Sequence, residues 1–272
     1  MVGILSEEEI NQLLTDLIDT YGYDFTGYSM PMLQRRINQF YNLQQVGSFT
    51  ALRYLLKNDP QYFRLFISKI MVPVTEMFRD PSFFAALRTE ILPALSNFPL
   101  IRIWHAGCST GEEVYSMAIL LKELRLLNKS ILYATDINPE ALETASKGIF
   151  PQNSFQHYAD NYLKSGGELS LQNYFEPYFG QVKFHDGLKK RIVFSTHNLA
   201  ADTSFNQFQL IICRNVLIYF NQELQNSVFT LFDSSLETKG FLALGSKETL
   251  RFSHLNQHYQ KINHKEKIWQ KL

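Results

Sequence analysis

Apolar residues recur at helical spacing from Ser6 to about Met71: Ile10, Leu13, Leu14, Leu17 and Ile18, then Leu33, Ile37, Phe40 and Tyr41, then Leu52, Leu55 and Leu56. This reads as a small helical bundle over residues 1–72. Ser6 followed by Glu9 matches a capping box, and Gly22, Gly27 and Gly47 fall between the periodic segments. Beyond Pro73 short β-like runs alternate with helical ones, at 101–105, 131–135, 191–196, 209–213 and 241–244. Such alternation implies parallel pairing through crossovers, hence an α/β doubly wound sheet over 73–272. A helix is expected over 113–127, with Val114, Met117, Leu121 and Leu124 facing the sheet. Two closing segments, 258–262 and 267–272, suit a hairpin at the sheet edge.

Residues 151–190 break the alternation. They are aromatic and polar, contain Gly166, Gly167 and Gly180, and are longer than a crossover needs. Two readings stand: an inserted subdomain of helix plus small antiparallel sheet facing a partner, or a structured connection that only covers the sheet.

Composition narrows the function. The 26 basic residues cancel 26 acidic ones, so no global field favours nucleic acid or a membrane surface. Cys108 and Cys213 lie in apolar stretches, which suits packing residues in a reducing compartment. Glu7, Glu8 and Glu9 stand where a signal peptide needs a basic start, and no run is long and apolar enough for a bilayer. A cytoplasmic protein, acting as a monomer and without membrane insertion, is expected.

The most informative stretch is 101–113, a strand, a tight turn through Gly107-Cys108-Ser109-Thr110-Gly111, and a helix opening on Glu112 and Glu113. Glycines there let a ligand approach the backbone. The third glycine of a dinucleotide fingerprint is missing, and two acids stand where a pyrophosphate would sit. A nucleoside with a cationic amino-acid tail fits better, and S-adenosyl-L-methionine is such a molecule. Asp136 ends the second strand, where a doubly wound sheet places a carboxylate for ribose hydroxyls; the alternative is a cap for the next helix. His197-Asn198-Leu199 and the run 214–220 end strands on the same edge. His105 and His197 lack the spacing of a metal site, so no metal is expected.

Five runs carry a family resemblance: Val74-Thr75-Glu76-Met77-Phe78-Arg79-Asp80, residues 106–115, residues 134–138, His197-Asn198-Leu199, and Cys213-Arg214-Asn215-Val216-Leu217-Ile218-Tyr219-Phe220. In this order they resemble the signature blocks of the chemotaxis receptor methyltransferase (CheR) family. The resemblance implies a class I methyltransferase fold with an N-terminal helical domain and a small inserted β-subdomain. It also implies cofactor contacts from Thr75, Arg79, Glu113, Asp136, Asn198, Leu199, Arg214 and Asn215, with Tyr219 beside the transferred methyl. The implied substrates are glutamates on the cytoplasmic helices of chemoreceptors. Two departures stand out: Pro73 occupies a frequent asparagine position, and the second helix offers only Arg35 and Arg36 where the family is often strongly basic.

A glutamate carboxylate, with pKa near ~4.3, is ionised at neutral pH and needs no general base. In-line displacement at a sulfonium methyl then rests on proximity, orientation and desolvation. Arg79 and Tyr219 are the candidate catalytic residues, Arg79 holding the carboxylate of either substrate or cofactor. The structural alternatives are an Arg79 pair with Asp80 or Glu76, and a Tyr219 that fills core. Competing functions are a methyltransferase of the same fold for another acid and a silent cofactor-binding adaptor; the acidic turn disfavours an NAD oxidoreductase.

Overall fold

In the computed structural model, which describes residues 3–71 and 75–272, the chain opens with four helices: α1 (Glu7–Tyr21), α2 (Met30–Gln44), α3 (Phe49–Asn58) and α4 (Pro60–Ile70). Local chemistry sets their ends. Ser6 and Glu9 form the reciprocal capping box, and α1 stops at Gly22, whose φ of 72° only glycine adopts without strain. Asp59 caps α4 by accepting from the Gln61 and Tyr62 amides, with Pro60 as the first helical residue. The boundary expected at 72/73, Pro73 itself and the first residue of the Val74–Asp80 run lie outside the described residues.

The rest of the chain runs α5 (Pro81–Ala86), α6 (Leu92–Leu95), β1 (Ile101–Ala106), α7 (Glu112–Glu123), β2 (Ser130–Asp136), α8 (Pro139–Lys147), β3 (Ile149–Pro151), α9 (Phe155–Lys164), β4 (Phe175–Tyr178), β5 (Gln181–Phe184), α10 (Asp186–Lys189), β6 (Ile192–Thr196), β7 (Phe208–Cys213), α11 (Gln222–Ser235), β8 (Leu236–Leu244), β9 (Tyr259–Asn263) and β10 (Ile268–Lys271). Seven strands form one sheet in the order β6-β2-β1-β7-β8-β10-β9. The first five are parallel, and β10 pairs antiparallel with both β8 and β9, giving the expected edge hairpin. This is the class I methyltransferase arrangement, with the sequence order reversing at β1.

Period-two alternation divides the sheet between two cores. Ile101, Ile103, Leu210 and Ile212 face a layer that includes α7 and the aromatic residues around Phe78, Phe83 and Phe84. Trp104, Ile211, Cys213 and Leu242 face α11 and the N-terminal helices, whose Leu13, Leu33 and Phe66 belong to the same cluster. The helical domain therefore shares its core with the sheet. Trp104 is fully buried and donates its indole N–H to Thr135 Oγ1 at 2.8 Å, which satisfies its one polar atom.

Two expectations need correction. The helix predicted over 113–127 ends at Glu123, and it is buried nearly all round rather than on one face. The reason is the insertion, which covers its outer side: Tyr115 stacks on Phe184 with ring centroids 4.9 Å apart, and Tyr174 donates to Glu123 at 2.7 Å. The last parallel strand begins at Leu236, not Phe241, because polar Glu237, Thr238 and Lys239 mask its start and Lys239 takes a φ of 65° at a pairing irregularity.

Of the two readings of 151–190, the structure bears out the helix plus small sheet. β3, from Ile149, precedes α9, β4 and β5 follow it, and the three strands pair antiparallel in the order β3-β5-β4.

Candidate active site

One crevice opens where β1, β2, β6 and β7 end, with about 1010 Å³ of space counted with its mouth. That suffices for a nucleoside carrying an amino-acid tail. Gly107 reaches it from the turn after β1, Glu113 from the first turn of α7, and Asp136 from the end of β2. Asn198 and Leu199 follow β6, whereas Arg214, Asn215 and Tyr219 follow β7. Thr75 and Arg79 line it from the segment ahead of α5. Every residue named from the sequence as a cofactor contact or catalytic candidate thus lines the same crevice. Tyr28, Met71 and Val216 also line it without having been singled out. For Tyr28 and Met71 no local pattern exists, because the helical domain meets the sheet only in the folded chain.

The turn after β1 depends on its two glycines. Gly107 has a φ of 79°, and its amide and that of Cys108 both donate to Thr135 O, at 2.8 and 2.9 Å. Gly111 takes a φ of 96° at the start of α7, where a Cβ would stand 2.8 Å from the Cβ of Ala145. Only glycine fits such a backbone beside such neighbours.

A chain of charges crosses the crevice floor. His105, wholly buried, holds Nδ1 at 3.0 Å from one Glu113 oxygen, and Arg214 Nη1 lies 3.3 Å from the other. Arg214 also pairs with Asp80, donates to Arg79 O at 3.3 Å, and rests its guanidinium 4.1 Å from the Phe83 ring centroid. Burial pushes the Glu113 carboxyl up, but His105 and Arg214 outweigh it and hold the group below the usual carboxylate range. Glu113 is therefore a fixed anion at neutral pH. Near Arg79 in sequence, Asp80 pairs with Arg214, and Glu76 lies 2.8 Å from His157.

Asp136 accepts from the Ser109 amide at 2.7 Å and the Asn138 amide at 2.9 Å. It does not cap the following helix; Asn138 does, accepting from the Glu140 and Ala141 amides. With that alternative removed, the Asp136 carboxylate ties the glycine turn to the end of β2 while lining the crevice. Burial raises its pKa, against the pull of those backbone donors. Neighbouring Glu112 points away into the protein, where Thr110 Oγ1 donates to it at 2.6 Å and burial pushes its carboxyl up to about 7.

Tyr219 lies at the rim, half-buried, so it does not simply fill core. The helical domain holds it from outside: the Ser29 amide donates to Tyr219 O at 2.8 Å, and the Tyr28 ring packs edge-on against Phe220 at 4.9 Å. Arg36 places its guanidinium 5.3 Å from the Tyr219 ring centroid and donates to Ile70 O at 2.6 Å. The sparse basic face expected on the second helix is thus sparser still: Arg36 turns inward, and Arg35 is the exposed one.

Cys108 and Cys213 are buried free thiols whose pKa burial raises well above the ordinary value, as packing residues require. Among the described residues no group of three or more His, Cys, Asp and Glu is arranged to hold a metal, and no helix is long and apolar enough to cross a membrane.

Comparison with known proteins matches this geometry. Residues 8–71 fit the model of the CheR methyltransferase all-alpha domain, and residues 73–268 that of the CheR methyltransferase SAM binding domain. A Pseudomonas putida protein named "Putative methyltransferase Cher3" is 42% identical over 265 residues, covering 97% of this chain and 96% of that one. A protein named chemotaxis protein methyltransferase from Borreliella burgdorferi is 31% identical over 262 residues, 91% of this chain and 90% of its own. One of the same name from Listeria innocua is 30% identical over 231 residues, 84% and 85% of the two chains. With an acid-lined crevice at the carboxyl edge of a class I sheet, and both domain models matched in order, the chain belongs to the CheR methyltransferase family and takes S-adenosyl-L-methionine as its cofactor.

Proposed function

We propose that this protein methylates glutamate side chains on the cytoplasmic helices of chemoreceptors, giving glutamate methyl esters and S-adenosylhomocysteine, and that it works in the cytoplasm where those helices lie. The observation that carries the reading is the composition of one crevice: Glu113, Asp136, Arg79 and Tyr219 share its lining, and its one described thiol, Cys108, is kept protonated by burial. The relatives named chemotaxis protein methyltransferases support the substrate class.

The donor set fits S-adenosyl-L-methionine. Asp136 spends two hydrogen bonds on backbone amides and keeps acceptor capacity for ribose hydroxyls. Glu113, held anionic, suits the cationic tail, and Gly107 brings backbone close to the ligand. Thr75, Asn198, Leu199, Arg214 and Asn215 complete the walls. When bound, the cofactor supplies a methyl on a cationic sulfur that departs as a neutral thioether. The chain's own task is then to place a carboxylate in line with that methyl and to keep water out. Arg79 offers a planar fork for a carboxylate, that of the substrate or of the methionine tail, and Tyr219 orients the acceptor at the rim. The incoming carboxylate is already ionised, so no proton moves.

Incubation with methyl-labelled S-adenosyl-L-methionine and a receptor cytoplasmic fragment tests this. Label is expected on the fragment and is released as methanol in mild alkali. Base-stable label, or label only in small molecules, would transfer the protein to another substrate class.

A further inference from the structure

We infer that Glu248 is the positioning residue of the cofactor site, fixing the loop after β7 by gathering its backbone amides on one buried carboxylate. The inference rests on the reading that this crevice binds S-adenosyl-L-methionine, and it concerns a residue that does not line the crevice.

β7 and β8 are parallel neighbours, with Cys213 opposite Leu244, so their outgoing loops leave the sheet side by side. The second loop turns back at once: the Glu248 amide donates to Gly245 O at 2.9 Å. That turn brings the carboxylate beneath the first loop. One oxygen accepts from the Val216 and Leu217 amides at 2.9 and 2.8 Å, the other from Asn215 and Gly245 at 3.1 and 2.6 Å. Glu248 is only 5% exposed, so it competes with little water for these donors.

The need for such an anchor is visible in the loop. Asn215 adopts a φ of 61°, in the left-handed region that asparagine tolerates better than most L-residues, and so turns the chain sharply after β7. Val216 stands so close to Gly107 that a Cβ on the glycine would meet its Cγ2 at 2.4 Å. Leu217–Tyr219 forms the turn that carries Tyr219 to the rim. Three successive amides with no strand to pair with would be orphaned inside the protein, and one anion satisfies all of them. Gly245 belongs to the same device, since a Cβ there would lie 2.7 Å from a Glu248 oxygen and 2.8 Å from the Asn215 amide. Burial raises the Glu248 pKa, and its four backbone donors pull against that rise.

A staple that served stability alone would lower the melting temperature and leave ligand binding intact. A positioning residue moves the binding constant. Glu248→Gln keeps shape but turns an amide N–H₂ toward two of the backbone donors. With the variant folded, S-adenosylhomocysteine is expected to bind about tenfold more weakly or worse and the cofactor KM to rise in step, with kcat falling as well because the same loop carries Tyr219. Glu248→Asp, which keeps the charge one methylene short, should recover part of the loss. Should Glu248→Gln not fold, Gly245→Ala carries the test, because it displaces the same pair without removing the charge and predicts the same KM effect. A folded variant with wild-type affinity and KM overturns the inference while leaving the proposed function standing. Absence of S-adenosylhomocysteine binding to the wild-type protein would instead strike the cofactor reading itself.

Discussion

Gly107→Ala is expected to abolish detectable S-adenosylhomocysteine binding while leaving a folded protein. The residue sits at φ 79°, where a Cβ costs roughly 1–2 kcal/mol. The added methyl also falls 2.4 Å from Val216 Cγ2, a distance that no packed pair of carbons tolerates. Val216 cannot easily retreat, because its amide is held at 2.9 Å by Glu248. Nor can the glycine, since its own amide and that of Cys108 are both bound to Thr135 O. The strain therefore falls on the space between the two loops, which both line the proposed cofactor crevice. Overpacking of this kind typically costs about 1–3 kcal/mol, so a combined strain of about 2–5 kcal/mol, borne by the ligand space, corresponds to roughly 30-fold to several-thousand-fold in affinity. Calorimetric titration with a parallel thermal melt checks it; affinity within threefold of wild type would show that the turn does not bound the cofactor.

Glu112→Gln should stabilise the protein at pH 8 and lose that advantage toward pH 5. Burial raises the Glu112 carboxyl from 4.5 to about 7 in the folded chain. Below the unfolded value both states hold the proton, and the group costs nothing. As pH rises toward 7 the unfolded chain releases its proton while the folded one keeps it, so stability falls and the penalty is complete above about 7. A rise of that size corresponds to roughly 3 kcal/mol. Glutamine keeps an oxygen for the Thr110 hydroxyl and escapes the penalty. Denaturant unfolding of both proteins at pH 5 and pH 8 reads the difference; a gain independent of pH, or a loss at pH 8, would contradict the assignment.

Much of this molecule was written locally. The capping box at Ser6, the turn at Gly22 and the largely apolar strands β1 and β7 each depend on neighbours in sequence. Glycines and acids at strand ends pointed to one edge of the sheet, because parallel strands deliver all such ends to the same side. What escaped depends on distant partners. α7 reads as one-faced because the helix and sheet that cover its other side lie downstream in the insertion. The start of β8 hides behind three polar residues at an irregular pairing. Arg36 belongs to a surface pattern by sequence, yet folds inward onto Tyr219 because that ring arrives from a loop far along the chain. Glu248 in Gly245-Ser246-Lys247-Glu248 carries no local signal, since three of its four donors lie 31 to 33 residues away.

The most direct measurement is a calorimetric titration of the purified protein with S-adenosylhomocysteine, repeated on Gly107→Ala. Saturable binding at one site per chain, lost in the variant, is the predicted result. No association with the wild-type protein, or equal association with both, would contradict a cofactor crevice bounded by that glycine.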